Sequence, residues 1–173
     1  MKVDVSRRHP GPELMDGNDI PREDLFQNYR ELHKVNNLLG GYRITLKGLS
    51  QFISSTGSLS VLDVGCGGGD TLKTIAAWGR KKQLSLQLTG VDLSEAAIRY
   101  SKENNKSFPE IEFIQEDVFQ HLKSEKKYDV ILNSLFMHHF TDEQIISLLS
   151  LMKKSAQSGF IINDLQRHPL AYR

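Results

Sequence analysis

The chain has 173 residues, 39% of them apolar and 25% charged, with a formal net charge of +1. That is the composition of one ordinary soluble domain with an extension. Acids balance bases throughout, and Arg80-Lys81-Lys82 is a short solvated cluster, so RNA and DNA partners are disfavoured. No apolar run reaches the roughly 18 residues of a membrane span, and Met1-Lys2-Val3-Asp4-Val5-Ser6-Arg7 lacks the apolar core of a secretory signal. The lone Cys66 allows no internal disulfide, and the simple expectation is a reducing, cytoplasmic setting.

In chain order, residues 1–18, with Arg7-Arg8-His9-Pro10-Gly11-Pro12, are polar and broken by proline and glycine, and read as a flexible segment. Residues 19–56 read as a helical extension. Asp19-Ile20-Pro21-Arg22 starts a helix, Leu25, Tyr29, Leu32, Asn36 and Leu39 follow roughly one face, and Gly40-Gly41 ends it. A second helix carries Leu46, Leu49 and Ile53. Residues 57–173 hold the main domain.

The most informative stretch is Val61-Leu62-Asp63-Val64-Gly65-Cys66-Gly67-Gly68-Gly69-Asp70, an apolar strand that passes through an acid into a glycine loop with helix-forming sequence behind it. Glycines let the backbone turn sharply and approach a ligand, and the following helix start presents amide donors. A dinucleotide fingerprint would need glycine where Asp70 stands, and Asp70 would repel a pyrophosphate, so the loop expects a ligand without phosphates. Closure of a tight strand-to-helix turn is the plainer use of the same glycines.

The Asp-x-Gly-x-Gly-x-Gly spacing resembles the cofactor loop of class I S-adenosylmethionine-dependent methyltransferases. The resemblance implies a carboxylate at Asp63 for the cofactor's ammonium or sulfonium side, and amides of a loop containing Gly65, Cys66, Gly67 and Gly69 for its carboxylate, with charge-assisted contacts contributing roughly 1.5–3 kcal/mol each. A second strand, Leu86 to Leu93, ends in Asp92, with Ser94 placed to cap a helix; Asp92 is the candidate ribose acceptor, or simply a helix-start carboxylate. In a third unit, Ile111 to Phe119, the resemblance makes Asp117 the acceptor for the adenine amino group and Val118 a backbone donor, with Glu116 a competitor and Leu93, Val118 and Phe119 as apolar walls.

The fourth strand begins at Tyr128 and runs toward Asn133-Ser134-Leu135-Phe136-Met137-His138-His139-Phe140. By resemblance the Asn133 carbonyl faces the cofactor ammonium, and Ser134 and Leu135 line the methyl-donor pocket. His138 and His139 follow on the acceptor side, where either is a candidate general base. No Asn-Pro-Pro-Tyr tetrad stands there, which removes support for amino methylation through that motif. Thr141 to Lys154 reads as an amphipathic helix with a T-x-x-Q capping box, and a fifth strand is expected over Ser158–Leu165, leaving Asn163, Asp164, Arg167, His168 and Tyr172 at the carboxyl edge.

Five strands separated by helical stretches predict an α/β fold: a Rossmann-like parallel sheet in the order 3-2-1-4-5 with helices on both faces; the resemblance implies that the N-terminal helices form a lid with Phe26, Tyr29, His33 and Tyr42 as candidate pocket residues, a plain packing appendage being the other reading. The resembled fold continues into a sixth strand and an antiparallel seventh, so the C-terminal strands are expected to be missing and the fifth strand to be an exposed apolar edge prone to homo-oligomerisation. The resemblance implies methyl transfer from S-adenosylmethionine to a small, phenolic or polyketide-like acceptor, with no metal. Two other readings stand beside it. One is a non-catalytic cofactor-binding or interaction module; the other, an NAD-dependent oxidoreductase, is opposed by Asp70.

Overall fold

The computed structural model describes residues 22–54 and 57–164. The expected flexible segment 1–18 and the residues Arg167, His168 and Tyr172 lie outside them. Two helices come first, α1 (Arg22–Leu38) and α2 (Gly41–Leu49), followed by a short turn at Ser50–Phe52. The strands and helices then alternate: β1 (Ser58–Val64), α3 (Asp70–Lys81), β2 (Ser85–Asp92), α4 (Glu95–Asn104), β3 (Ile111–Gln115), α5 (Val118–Lys123), β4 (Tyr128–Ser134), α6 (Asp142–Ser155) and β5 (Ala156–Asn163).

The five strands form one sheet in the order β3-β2-β1-β4-β5, and every neighbouring pair is parallel. The expected order therefore holds. β1 is central and almost wholly buried, because a parallel strand covered on both faces is free to be continuously apolar. On one face Val61, Leu88, Val130 and Leu132 pack with Leu49, Leu72, Ile75 and Ile98 from α2, α3 and α4. On the other, Leu62, Val64, Val91 and Ile131 pack with Val118, Leu122, Leu148 and Met152 from α5 and α6.

Helix starts follow local chemistry. The Ser94 hydroxyl accepts from the Ala97 amide at 3.2 Å and caps α4, and Thr141 with Gln144 closes the expected capping box of α6. Three elements differ from expectation. β5 lies earlier, at Ala156–Asn163, because Ser155 is still helical and α6 runs directly into the strand. The fourth strand ends at Ser134, after which Leu135 takes a left-handed φ of 54° and Met137–His139 form a single helical turn. The first helix ends at Leu38, before Leu39, and of the residues expected along one of its faces Leu32 and Leu39 are 39% and 76% exposed.

The outer edge of β5 carries no strand partner among the described residues, and Phe160 and Ile162 are partly open. Its other face is covered by the N-terminal region: an added Cβ on Gly48 of α2 would meet the Ile161 side chain at 2.9 Å, and one on Gly159 would meet the Phe52 ring at the same distance.

Candidate functional site at the carboxyl edge of the sheet

Strand order reverses between β1 and β4, so the loops after these strands diverge and leave a crevice at the carboxyl edge. Asp63 ends up there because it is the penultimate residue of β1. It is 2% exposed, and its Oδ1 has no hydrogen-bond partner among the described residues. Burial, with the charge of Asp92 second, pushes its carboxyl up from the usual 3.8 to about 8. An unpaired buried acid is costly, and the raised carboxyl is the response of the free chain to that cost.

The glycine loop is stitched to β2. The amides of Gly65 and Cys66 both donate to the Val91 carbonyl, at 2.9 and 3.1 Å, and the Gly67 amide donates to Asp92 Oδ2 at 2.9 Å. The Gly69 amide donates to the Cys66 carbonyl. These amides are thus used within the protein, whereas the sequence reading offered them to a ligand carboxylate. Gly65 has a φ of 71°, and a Cβ there would lie 2.3 Å from the Phe136 ring, so the residue must be glycine on both counts.

Asp92 ends β2, with Oδ1 accepting from the Ser94 amide and Oδ2 from Gly67. Burial raises its carboxyl, and these two amides and the charge of His139 pull the other way. Cys66 is buried, and burial followed by the charges of Asp92 and Asp63 pushes its thiol well up, keeping it protonated and inert.

Helix α1 packs against the glycine loop. Tyr29 and Tyr100 pack against Gly68, where a Cβ would meet each ring at 3.1 Å, and Phe26 lies against Tyr100 in a tilted contact with ring centroids 4.7 Å apart. The Tyr29 phenol is held protonated by burial and then by Asp92. His33 Nδ1 lies 3.0 Å from the Tyr42 hydroxyl and 3.4 Å from Asp70 Oδ1, tying α1 to α2 and α3. Burial raises the Asp70 carboxyl, while His33 and Lys73 lower it. Three acids, Asp63, Asp70 and Asp92, therefore gather around one loop beneath phenols that stay neutral. The arrangement favours a cation and opposes a phosphate.

Further along the edge, Asp117 caps α5 by accepting from the Gln120 amide at 3.0 Å. Its competitor Glu116 is engaged with the buried His121, whose Nδ1 is 2.8 Å away and whose Nε2 is 2.8 Å from the Tyr128 hydroxyl. Val118 is buried in the core, Leu93 is 67% exposed, and Phe119 packs edge-on to Phe140. Asn133 is fully buried with both carboxamide atoms unpaired, and since it follows Leu132, which pairs with Asp63, strand alternation sends its side chain to the face opposite Asp63. Ser134 is half-buried at the strand end.

The two histidines separate. His138 turns toward β5, where its Nδ1 is 2.6 Å from Asp164 Oδ1 and its amide donates to Asp164 Oδ2 at 3.2 Å. His139 is exposed and within electrostatic reach of Asp92. The sequence reading missed the Phe136 ring over Gly65, the part of Tyr100 in clamping the loop, and the pairing of Asp164 with His138. Only the aromatic run Phe136 to Phe140 hinted at the first of these.

Fold and site together define a Rossmann-like domain of the methyltransferase kind, and the methyltransferase domain family matches residues 61–159. The chain belongs to that family. Among its relatives, the ubiquinone biosynthesis O-methyltransferase of Salmonella typhimurium is 32% identical over 125 residues, covering 71% of this chain and 47% of the relative. That of Rickettsia akari is 32% identical over 146 residues, covering 82% and 53%. The chain thus spans about half the length of the relatives it matches. Its fold is shared with a TehB-like S-adenosylmethionine-dependent methyltransferase from Corynebacterium glutamicum, with a TM-score of 0.57 and 21% identity over 79% of this chain and 71% of that one. Coclaurine N-methyltransferase, solved with N-methylheliamine and S-adenosylhomocysteine, has a TM-score of 0.55 and 22% identity over 69% of this chain and 34% of that one.

Proposed function

We propose that this chain binds S-adenosylmethionine and transfers its methyl group to a phenol-type hydroxyl of a small molecule. The observation that carries the reading is the Asp63 carboxyl, 2% exposed with an unpartnered oxygen, beside a glycine loop ringed by acids. A cationic, phosphate-free ligand supplies what that carboxyl lacks. The hydroxyl acceptor is supported by the O-methyltransferase relatives.

When bound, the cofactor supplies a methyl group already activated by a sulfonium. The protein's work is to bind, orient and handle one proton. Asp63 holds the ammonium. Asp92 takes ribose hydroxyls with the acceptor capacity left beside its two loop amides. Asp117 and the Val118 amide read the adenine edge, and Leu93 covers a base. The loop residues Gly65, Cys66, Gly67 and Gly69 keep the backbone low, the Asn133 carbonyl faces the ammonium, and Ser134 and Leu135 bound the methyl side. α1 and α2 act as a lid through Tyr29, whose position against Gly67 and Gly68 supports that role. Fixing donor and acceptor in line contributes roughly 7–11 kcal/mol to such a reaction. A histidine on the acceptor side removes the hydroxyl proton. Among the described residues no group of three or more acids, histidines and cysteines is placed to hold a metal, and no helix is long and apolar enough to cross a membrane. The single buried thiol fits a reducing, cytoplasmic setting.

Calorimetry on the 173-residue chain with S-adenosylhomocysteine and with NAD tests the reading. Binding of the first and not the second is expected, followed by S-adenosylmethionine-dependent methylation of catechol seen by mass spectrometry. A folded chain that binds NAD and not S-adenosylhomocysteine overturns it.

A further inference from the structure

We infer that the turn after β4 is a gate on the cofactor site, with the Phe136 ring as its plug and Leu135 as its hinge. This deepens the methyl-transfer reading and rests on it. Two unfavourable features and one obstruction meet between Asn133 and Phe136, and all three belong to the same turn.

Leu135 holds a left-handed φ of 54°, a conformation that is costly for a side chain and persists only where the surroundings enforce it. Its amide is the enforcing contact, donating to the Asn163 carbonyl at 2.9 Å. Asn133, two residues earlier, is 0% exposed, and neither polar atom of its carboxamide has a hydrogen-bond partner among the described residues. A buried unpaired amide is expensive, and strand alternation puts this one on the Ile131 face, where Phe136, Met137 and Phe140 pack. The obstruction is the Phe136 ring. Its Cδ1 lies 2.7 Å from where a Cβ of Gly65 would stand, and its Cγ and Cδ2 lie closer. Carbon atoms in contact keep about 3.5–4.0 Å, so on that side of Gly65 the ring fills the space a ligand atom would need.

Strain kept beside a binding loop marks an element with a second position. In the first position aromatic neighbours hold the plug. The Phe136 ring meets Phe140 edge-on with centroids 4.8 Å apart, and Phe140 meets Phe119 edge-on at 5.4 Å. The row runs from Phe119, an apolar wall expected for the adenine, to the first glycine of the loop. A cofactor that seats its adenine at Phe119 and its amino-acid part over Gly65 presses on both ends of that row. Ligand binding and displacement of the ring then form one equilibrium: the ligand favours the position in which Gly65 is uncovered, and its affinity is reduced by the fraction of molecules in the other. Leu135 lets the turn swing by leaving the left-handed region, and the same movement opens the Asn133 carboxamide to a partner.

The test uses the full chain, with S-adenosylhomocysteine as the probe. In the parent protein a nuclear Overhauser contact between the Phe136 ring and the Gly65 α-hydrogens is expected without ligand and is expected to vanish at saturation, a result that needs no variant and no turnover. Phe136→Ala removes the plug. It is expected to tighten S-adenosylhomocysteine binding about tenfold or more, through faster association in stopped flow, because a competent position populated at about 0.1–10% divides the affinity by the reciprocal of that fraction. Phe136→Leu, a smaller change that keeps an apolar side chain in the core, is expected to fall between the two. A ring that only packs would cost stability on removal and leave the affinity level or lower. An Overhauser contact that is absent without ligand or survives saturation, or a folded Phe136→Ala or Phe136→Leu that binds no tighter than the parent, overturns the inference. Failure of the parent and of folded Phe136→Leu alike to bind S-adenosylhomocysteine sinks the methyl-transfer reading itself, and the gate with it.

Discussion

Asp63 and Asp164 stand at the carboxyl ends of β1 and β5, two strands apart in one sheet, and the protein treats them in opposite ways. Asp164 is satisfied from within: both oxygens engage His138, through its ring and its amide. Asp63 is buried more deeply and left with an oxygen unpaired, while the nearby amides of Gly65, Cys66 and Gly67 are spent on Val91 and Asp92. A carboxylate completed by its own chain is already balanced. One left incomplete is where the proposed cofactor's positive charge is expected to fall.

The sharpest way to break this contrast is at the contact that joins its two sides, the Phe136 ring on Gly65. Gly65→Ala combines a positive φ of 71° with a Cβ 2.3 Å from that ring. It should cost roughly 2–5 kcal/mol of stability, the sum of left-handed strain and overpacking. Chemical denaturation is the measure, and adding Phe136→Ala should recover part of the loss, since the two residues share one contact.

Next in size is Asp63→Ala. It should weaken S-adenosylhomocysteine binding by roughly 1.5–3 kcal/mol, about 10–150-fold, without lowering the melting temperature of the free protein. Equal affinity in the folded variant would show that the buried acid does not meet the ligand. The sign of the stability effect follows from the raised carboxyl. Between the usual 3.8 and about 8 the folded chain keeps a proton that the unfolded chain releases. Stability of the free protein from this group therefore falls as pH rises through that window, by at most ~1.4 kcal/mol per pH unit. Asp63→Asn should flatten that slope. Ligand binding at pH 7 should release up to about one proton, read by calorimetry in buffers of different ionisation enthalpy.

The smallest effect is expected at Asp92→Asn, which keeps one carbonyl acceptor for the loop amide or for a ribose hydroxyl. A loss of roughly 0.5–1.5 kcal/mol in cofactor affinity is the expectation, with kcat unchanged once the site is saturated. A fall in kcat at saturation would place Asp92 in the chemistry and set it apart from Asp63.

Much of this is legible in the sequence. The apolar run into Asp63, the glycines behind it, the acid at the end of each of the next two strands and the Thr141 capping box are local signals, because strand alternation, turn chemistry and helix capping act over a few residues. They led to the sheet order and to the edge where the site lies. Leu32 and Leu39 show the limit of such reasoning: helical spacing marks a face, but whether that face is covered depends on what packs there.

What the sequence determined by itself was the alternating α/β pattern and the set of chemical groups at the strand ends, both written in short-range periodicity. Only the tertiary structure decided how those groups are used. It spent the glycine amides on β2, laid Phe136 on Gly65 and Tyr29 on Gly68, and tied His138 to an acid 26 positions later. The reason is physical: a hydrogen bond or a ring contact across the sheet depends on angstrom-scale register between strands far apart in the chain, and only the packed core fixes that register.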